Sequence, residues 1–303
     1  MSVKFKEAVY IVDQPSSSII FSNVHFTNII SQTAIFVRQF TESITSFQIE
    51  SVVFDNCSSN QLFLCFNISL MTSNLLLSRS VIQNTLSNSC DVYFGSIKTN
   101  NKTHELILTN WSFINNTCKS LYGGGIGTLF DGIESLIFDK CCFKNNTSKQ
   151  DLSKSRTAEN EASYYNGDGG GIQLGYSCSL SDFDVAFKFC KFENNKADRH
   201  GGAIAIQTLR TVSIVNCTFN NNVANCIHQS SSSLLTTDYF NLKKDGRGGA
   251  IYINPDFLNE CKSLSSFMIS VDIENCSFVS NNAFDGYAIY VEGDNSNDTN
   301  FSI

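Results

Sequence analysis

Eight times along this chain, four side chains recur at offsets of zero, two, five and seven residues, and a periodicity of that kind leaves few folds open. The quartets are Ile19, Phe21, Val24, Phe26; Phe47, Ile49, Val52, Phe54; Leu75, Leu77, Ser80, Ile82; and Leu106, Leu108, Trp111, Phe113. They continue with Leu136, Phe138, Cys141, Phe143; Val185, Phe187, Cys190, Phe192; Val212, Ile214, Cys217, Phe219; and Val271, Ile273, Cys276, Phe278. Counting Cys, 31 of the 32 positions are apolar, against about 13 expected from a chain that is 42% hydrophobic, and Ser80 is the exception. The first two positions alternate with a polar residue between them, as in a half-buried strand, and the three-residue step that follows breaks the alternation. Each unit therefore reads as strand, bend, strand. Successive reference residues (the last of each quartet) are 28, 28, 31, 30, 49, 27 and 59 apart, a unit near 28 residues with two enlarged intervals. Polar segments at 148–166 and 224–244 account for the enlargements as loops inserted into a stacked array.

Two residues after the reference position stand Asn28, Asn56, Asn84, Asn115, Asn145, Asn194 and Asn221, with Ser280 in the last unit. Asparagine tolerates the left-handed backbone of a sharp bend, and stacked amides can hydrogen-bond along an array, so the column predicts an asparagine turn ladder. Later units carry a second short strand opened by glycine: Gly124-Gly125-Ile126, Gly170-Gly171-Ile172, Gly201-Gly202-Ala203-Ile204 and Gly248-Gly249-Ala250-Ile251, with a degenerate Gly286-Tyr287-Ala288-Ile289. Glycine supplies a corner with positive φ and lets neighbouring backbones approach. Strand, asparagine turn, strand and glycine corner make one coil. Stacked coils predict an all-β parallel β-helix of about eight coils over 19–291, with a candidate N-terminal cap at 1–18 and a polar C-terminal tail at 292–303.

The alternation of Gly-Gly-Ala-Ile with Phe-x-x-Asn resembles the repeats of chlamydial polymorphic outer membrane proteins and of the similar surface proteins of trichomonad protozoa, most of all the latter. Phe-x-x-Asn occurs at Phe113 and Asn116, Phe143 and Asn146, Phe192 and Asn195, Phe219 and Asn222, and Phe278 and Asn281. The alternation runs from about residue 113 to 289, while the first three coils match only the apolar quartet and the Asn column. The resemblance implies a right-handed parallel β-helix displayed on a cell surface or secreted, with adhesion to a host cell-surface glycan or protein as its role.

Net charge narrows the partners. A formal charge of −7 and the absence of a Lys/Arg cluster argue against nucleic acid. No run approaches the roughly 18 apolar residues of a membrane span, and the start, Met1-Ser-Val-Lys-Phe-Lys, carries no long apolar stretch, so neither a span nor a signal peptide is expected in this chain.

Four of the twelve cysteines, Cys141, Cys190, Cys217 and Cys276, share one inward column, where a free thiol packs as a small hydrophobe. Disulfides between adjacent coils stay open, because Cα separations near 5 Å fall inside the permitted range. No Cys-x-x-Cys or His-x-x-x-His pair occurs, so no metal site or cofactor is expected. Of eleven Asn-x-Ser/Thr sequons, Asn110, Asn216 and Asn275 should face solvent and are the glycosylation candidates. Asn56, Asn115 and Asn145 belong to the turn ladder and are expected to turn inward.

Parallel β-helices also carry polysaccharide lyases and glycoside hydrolases, whose chemistry needs clustered carboxylates. The only recurrent acids here are Asp168, Asp245 and Asp285, each directly before a glycine, and Asp198, three residues ahead of Gly201. Acid before glycine is ordinarily a turn former. Stacked at one corner, the four are the candidates for a weak Ca²⁺ or sugar site. Asp198-Arg199-His200 is the most reactive-looking cluster, but it lacks a second carboxylate pair, and no nucleophile elbow, phosphate loop or zinc-protease helix is present. No residue is assigned a catalytic role. The repeated information specifies a fold and a surface protein; the alternatives are a carbohydrate-active enzyme and a sugar- or Ca²⁺-binding module.

Overall fold

The computed structural model describes residues 4–11, 18–38, 46–59, 64–67, 75–87, 92–95, 105–119, 126–130, 135–149, 167–174, 184–206, 211–225, 246–254, 269–291 and 299–302. They form a right-handed parallel β-helix in which strands pair with their equivalents one coil away. The first two quartet positions lie on a nine-stranded sheet whose rungs include Glu105–Thr109, Ser135–Asp139, Asp184–Lys188 and Thr211–Val215. The reference residue sits in the middle of a three-residue strand, and eight of these strands form a second sheet from His25–Thr27 to Ser277–Val279. A third, 15-stranded sheet bends through Ile30–Arg38, which pairs with Ser58–Ser59 at its start and Leu64–Asn67 at its end. That sheet contains the short strands after the asparagine turn and the strands that follow the glycine corner. At the two ends of the stack, Lys4–Ile11 pairs with Ile30–Arg38, and Thr299–Ser302 adds the ninth rung beside Ile269–Glu274.

Register follows the quartets. Leu106, Leu136, Val185, Val212 and Val271 stand opposite one another, as do Phe113, Phe143, Phe192, Phe219 and Phe278. The second set stacks face to face, with ring centroids 5.0, 4.7, 4.8 and 4.8 Å apart. These separations equal the strand spacing of about 4.8 Å, so backbone ladder and ring stack satisfy one geometry at once. Phe138 and Phe187 form a parallel stack at 5.0 Å and meet Phe143 and Phe192 edge-on.

Three corners turn each coil, and the first two obey one rule. A residue in the left-handed conformation points its side chain out, and the next residue points in. At the first corner the outward residues are Asn23, Ser51, Arg79, Asn110, Lys140, Phe189, Asn216 and Asn275, all with φ between 50° and 56°. Each inward follower packs in the core, and the cysteines also bond: Cys141, Cys190, Cys217 and Cys276 donate Sγ–H to carbonyls 3.2–3.5 Å away. Ser80 fits this column for the same reason, its hydroxyl donating to Ser78 O at 3.0 Å while accepting Val52 N–H at 3.2 Å. These four and Cys57, Cys118 and Cys142 are free thiols.

The second corner holds the predicted asparagine column at φ of 51° to 58°. It differs from expectation in direction: Asn56, Asn115 and Asn145 face solvent rather than the core, because a left-handed residue at this bend aims its Cβ outward. They do form a ladder, Asn56 Nδ2 donating to Asn28 Oδ1 at 2.6 Å, Asn115 to Asn84 at 3.1 Å and Asn145 to Asn115 at 3.0 Å. A second ladder runs inside, one residue later, through Asn116, Asn146, Asn195, Asn222 and Asn281, the asparagines of the Phe-x-x-Asn motif. Thr85 begins it, its N–H and Oγ1 both bonded to Asn116 Oδ1.

At the third corner Gly169, Gly201, Gly248 and Gly286 adopt φ of 63° to 67°. Ile172 pairs with Ile204, so the doublet equivalent to Gly201-Gly202 is Gly169-Gly170, and Gly171 takes the place of Ala203. Gly124 and Gly125 lie outside the described residues. The second glycine of each doublet is needed for close approach: a Cβ on Gly170, Gly202 or Gly249 would lie 2.1–2.2 Å from a carbonyl oxygen of the following coil. Tyr287 stands at this position in the last doublet, with its side chain exposed. A residue bearing a Cβ there bars another coil from stacking on that corner at the same spacing.

Candidate functional site

The edge between the short strand and the glycine corner is where the coils differ most. In one coil the chain crosses from Lys196–Ala197 to Gly201 in only three residues, Asp198, Arg199 and His200. In the coils on either side of it, the crossing is occupied by 150–166 and 226–245, which lie outside the described residues and contain most of both predicted insertions. Both segments return at glycines with positive φ, Gly167 and Gly246. Neighbouring coils pin these returns: Arg199 N–H donates to Gly167 O at 3.0 Å, and Phe284 N–H to Gly246 O at 2.7 Å. The two long segments are thus rooted one coil to each side of Asp198-Arg199-His200.

Directly before the glycines the stack reads Asp168, His200, Arg247 and Asp285. The carboxylates therefore do not form one column. Asp168 and Asp285 are separated by two coils, Asp198 sits at the tight crossing with its N–H on Ser148 O, and Asp245 lies outside the described residues. Asp168 is fully buried; its Oδ1 accepts His200 N–H at 3.2 Å and lies 3.8 Å from Arg199 Nε. Asp285 Oδ2 is 4.0 Å from Arg247 Nε, and the Arg247 guanidinium lies 4.7 Å over the Tyr290 ring. His200 stacks on Tyr252 with centroids 4.4 Å apart. Among the described residues, no group of three or more His, Cys, Asp or Glu is placed to hold a metal ion.

Arg247, Tyr252 and Tyr290 were not singled out from sequence, although Ala250-Ile251-Tyr252 and Ala288-Ile289-Tyr290 repeat in register. Their strand is also unusual in its burial. Outward positions Gln173, Ala205 and Tyr252 are as buried as their inward neighbours, whereas the outward positions of the other two sheets, Ser78 apart, are half-buried or exposed. Asp168 is consequently held in a low-dielectric setting against Arg199, while the half-exposed Asp285 lies beside Arg247. The arrangement fastens the loop roots to the stack.

Burial, and next the Arg199 and Arg247 charges, hold the His200 imidazole well below its usual pKa. Nδ1 accepts Arg247 N–H at 3.4 Å, and Arg199 Nη2 lies 3.2 Å from Nε2, so cationic or donor groups face both ring nitrogens. The sign of the linkage follows. Below the unfolded value of about 6.5 the unfolded chain binds a proton that the folded chain resists, so stability is full above that pH and falls as pH drops through it. The expected slope is up to about 1.4 kcal/mol per pH unit. Urea midpoints between pH 7.5 and 5.5 should show it in the wild type, with a shallower slope in His200→Gln; equal slopes would remove His200 as the cause.

Asn110, Asn216 and Asn275 are exposed at the first corner, as expected. Asn56, Asn115 and Asn145 are exposed too, but their side-chain Nδ2 groups are engaged in the outer ladder, which a glycan on that nitrogen would interrupt.

The Chlamydia polymorphic membrane protein repeat matches residues 189–207 and 216–254. Each stretch runs from the first corner through the inner asparagine to the glycine doublet and its strand, and the second spans 226–245 as well. The chain therefore carries repeats of the polymorphic membrane protein type. No curated protein and no solved structure matches it. Among the described residues no helix is long and apolar enough to cross a membrane.

Proposed function

From a stack of polymorphic membrane protein-type repeats, we propose a non-catalytic β-helix that works at a cell surface or outside the cell by binding a host cell-surface glycan or protein. The repeat match supports surface placement. The observation that carries the binding role is the rooting of two long polar segments on one edge, each one coil from the tight crossing at Asp198-Arg199-His200. Loops anchored on a rigid scaffold are where binding residues concentrate. Recurrent residues, by contrast, are consumed by the fold: inward quartets, two asparagine ladders and a glycine doublet. The acids that a lyase or hydrolase would need are instead set against arginines at Asp168 and Asp285. Asn110, Asn216 and Asn275 are the positions proposed to carry glycans.

Because Ser148 and Ala224 are buried at the loop roots, replacement by a Gly-Ser linker should begin after Lys149 and Asn225 rather than at 148 and 224. The purified full chain should bind epithelial cells saturably, and replacing 150–166 or 226–245 should reduce that binding while leaving the urea midpoint unchanged. Failure of the intact chain to bind cells would overturn the reading, and undiminished binding by both replacements would overturn the assignment to the segments.

A further inference from the structure

Phe189 departs from everything the first corner asks for. Its column runs Asn110, Lys140, Phe189, Asn216, Asn275, all left-handed, and Phe189 adopts φ of 55°. A bulky residue in that conformation carries a steric cost that asparagine largely avoids. Nor does the ring recover the cost by burial, since it is 52% exposed. An aromatic held on the surface in a strained conformation is the mark of a contact surface.

Its surroundings say what kind. Lys140 occupies the same corner one coil away, its N–H bonded to Lys188 O at 2.8 Å. Lys188 is the residue before Phe189, and Lys191 opens the following strand on the outward face, both exposed. Lys144 lies nearby but is paired with Glu193 at 3.3 Å, and Asp139 stands in register with Lys188. Four lysines against two acids leave a local positive excess on a chain whose net charge is −7. Lys140 on one coil and Lys188 and Lys191 on the next gather three exposed cations around Phe189 on two adjacent coils, a patch suited to a polyanion.

We propose that Phe189, Lys140, Lys188 and Lys191 form a binding site for an acidic polysaccharide, the ring lying against the apolar face of one sugar and the ammonium groups meeting its carboxylates or sulfates. The site rests on the surface-binding reading above and gives it a ligand class. It lies at the corner between the first two sheets, whereas the roots of the two long segments lie on the third.

Phe189→Asn separates binding from folding, because it restores the residue type that the corner favours. Titration of the full chain with a heparin-derived octasaccharide, with dextran as the neutral control, should show saturable binding of the octasaccharide alone, weakened more than tenfold between 50 and 500 mM NaCl. Phe189→Asn should raise the Tm by a few degrees yet weaken octasaccharide binding at least tenfold. Lys140→Gln combined with Lys191→Gln should weaken binding and flatten its salt dependence with little change in Tm. No octasaccharide binding, equal binding of dextran, or undiminished binding by Phe189→Asn would overturn the proposal. Cell adhesion that persists without octasaccharide binding would overturn the site and leave the surface-binding reading standing. Octasaccharide binding without adhesion would do the reverse. Loss of adhesion in Phe189→Asn without any octasaccharide binding would replace the polysaccharide by a protein partner.

Discussion

Replacing Gly202 by alanine should cost about 3–5 kcal/mol, out of proportion to the single methyl group added. The new Cβ would lie 2.1 Å from Gly249 O, 2.5 Å from Val223 N and 2.7 Å from Val223 C. All three are backbone atoms of the next coil. No rotamer change relieves them, and moving them apart breaks the ladder that binds coil to coil, in which Gly202 N–H donates to Gly248 O at 3.1 Å and Ala203 N–H to Ala250 O at 2.9 Å. Neighbouring coils share nearest-neighbour interfaces, so the loss falls on both sides of the substitution. Ala203→Gly is the control: it removes one buried methyl group and should cost only about 1 kcal/mol. Urea unfolding of the two variants measures the difference. Equal midpoints would mean that the coils do not meet at this corner as closely as described.

The quartets were legible in the sequence because burial at a fixed spacing leaves an apolar imprint whatever the local residue, and Ser80 was an outlier only in composition. Its hydroxyl makes the bond that the cysteine thiols of the same column make, so the column admits a small donor as well as the hydrophobes Val52 and Trp111. Legibility ended where direction mattered. Pairs such as Asn115-Asn116 and Asn194-Asn195 offer two equivalent side chains, and only the backbone decides that the left-handed first residue faces solvent and the second faces the core. The charged edge was hidden for a related reason. Asp168, Asp245 and Asp285 all precede glycine in the sequence, but loops of unequal length shift the frame, and the stack places His200 and Arg247 between Asp168 and Asp285. Phe189 was visible as a letter, yet its strain belongs to a dihedral angle that no composition reports.

The inner ladder gives the second large effect. Asn195 uses its side chain in four hydrogen bonds: Nδ2 donates to Phe143 O and Asn222 Oδ1, both at 2.9 Å, and Oδ1 accepts Asn146 N–H and Nδ2 at 3.1 and 3.0 Å. It is fully buried, so none of the stranded partners can turn to water. Asn195→Ala leaves the Asn146 N–H unpaired, at about 1–3 kcal/mol, and removes the bonds to Phe143 O, Asn222 Oδ1 and Asn146 Nδ2 at about 1 kcal/mol each, so it should cost about 3–5 kcal/mol in all. Asn194→Ala should cost about 1–2 kcal/mol, because that residue is exposed and chiefly the left-handed backbone is penalised. Asn195→Asp sharpens the argument. The substitution keeps the shape but turns a donor into an acceptor, so an ionised carboxylate would face the Phe143 carbonyl and the Asn222 oxygen. Only the protonated acid can donate in place of Nδ2. Burial raises the folded pKa of such a group above the unfolded value of about 3.9, so the variant is most stable below that pH and loses stability as pH rises, opposite to the trend expected from His200. Urea midpoints of Asn195→Asp at pH 4 and pH 7, set against the wild type at each, should show a deficit that grows with pH. A deficit independent of pH would mean that Nδ2 is not the group on which the inner ladder depends.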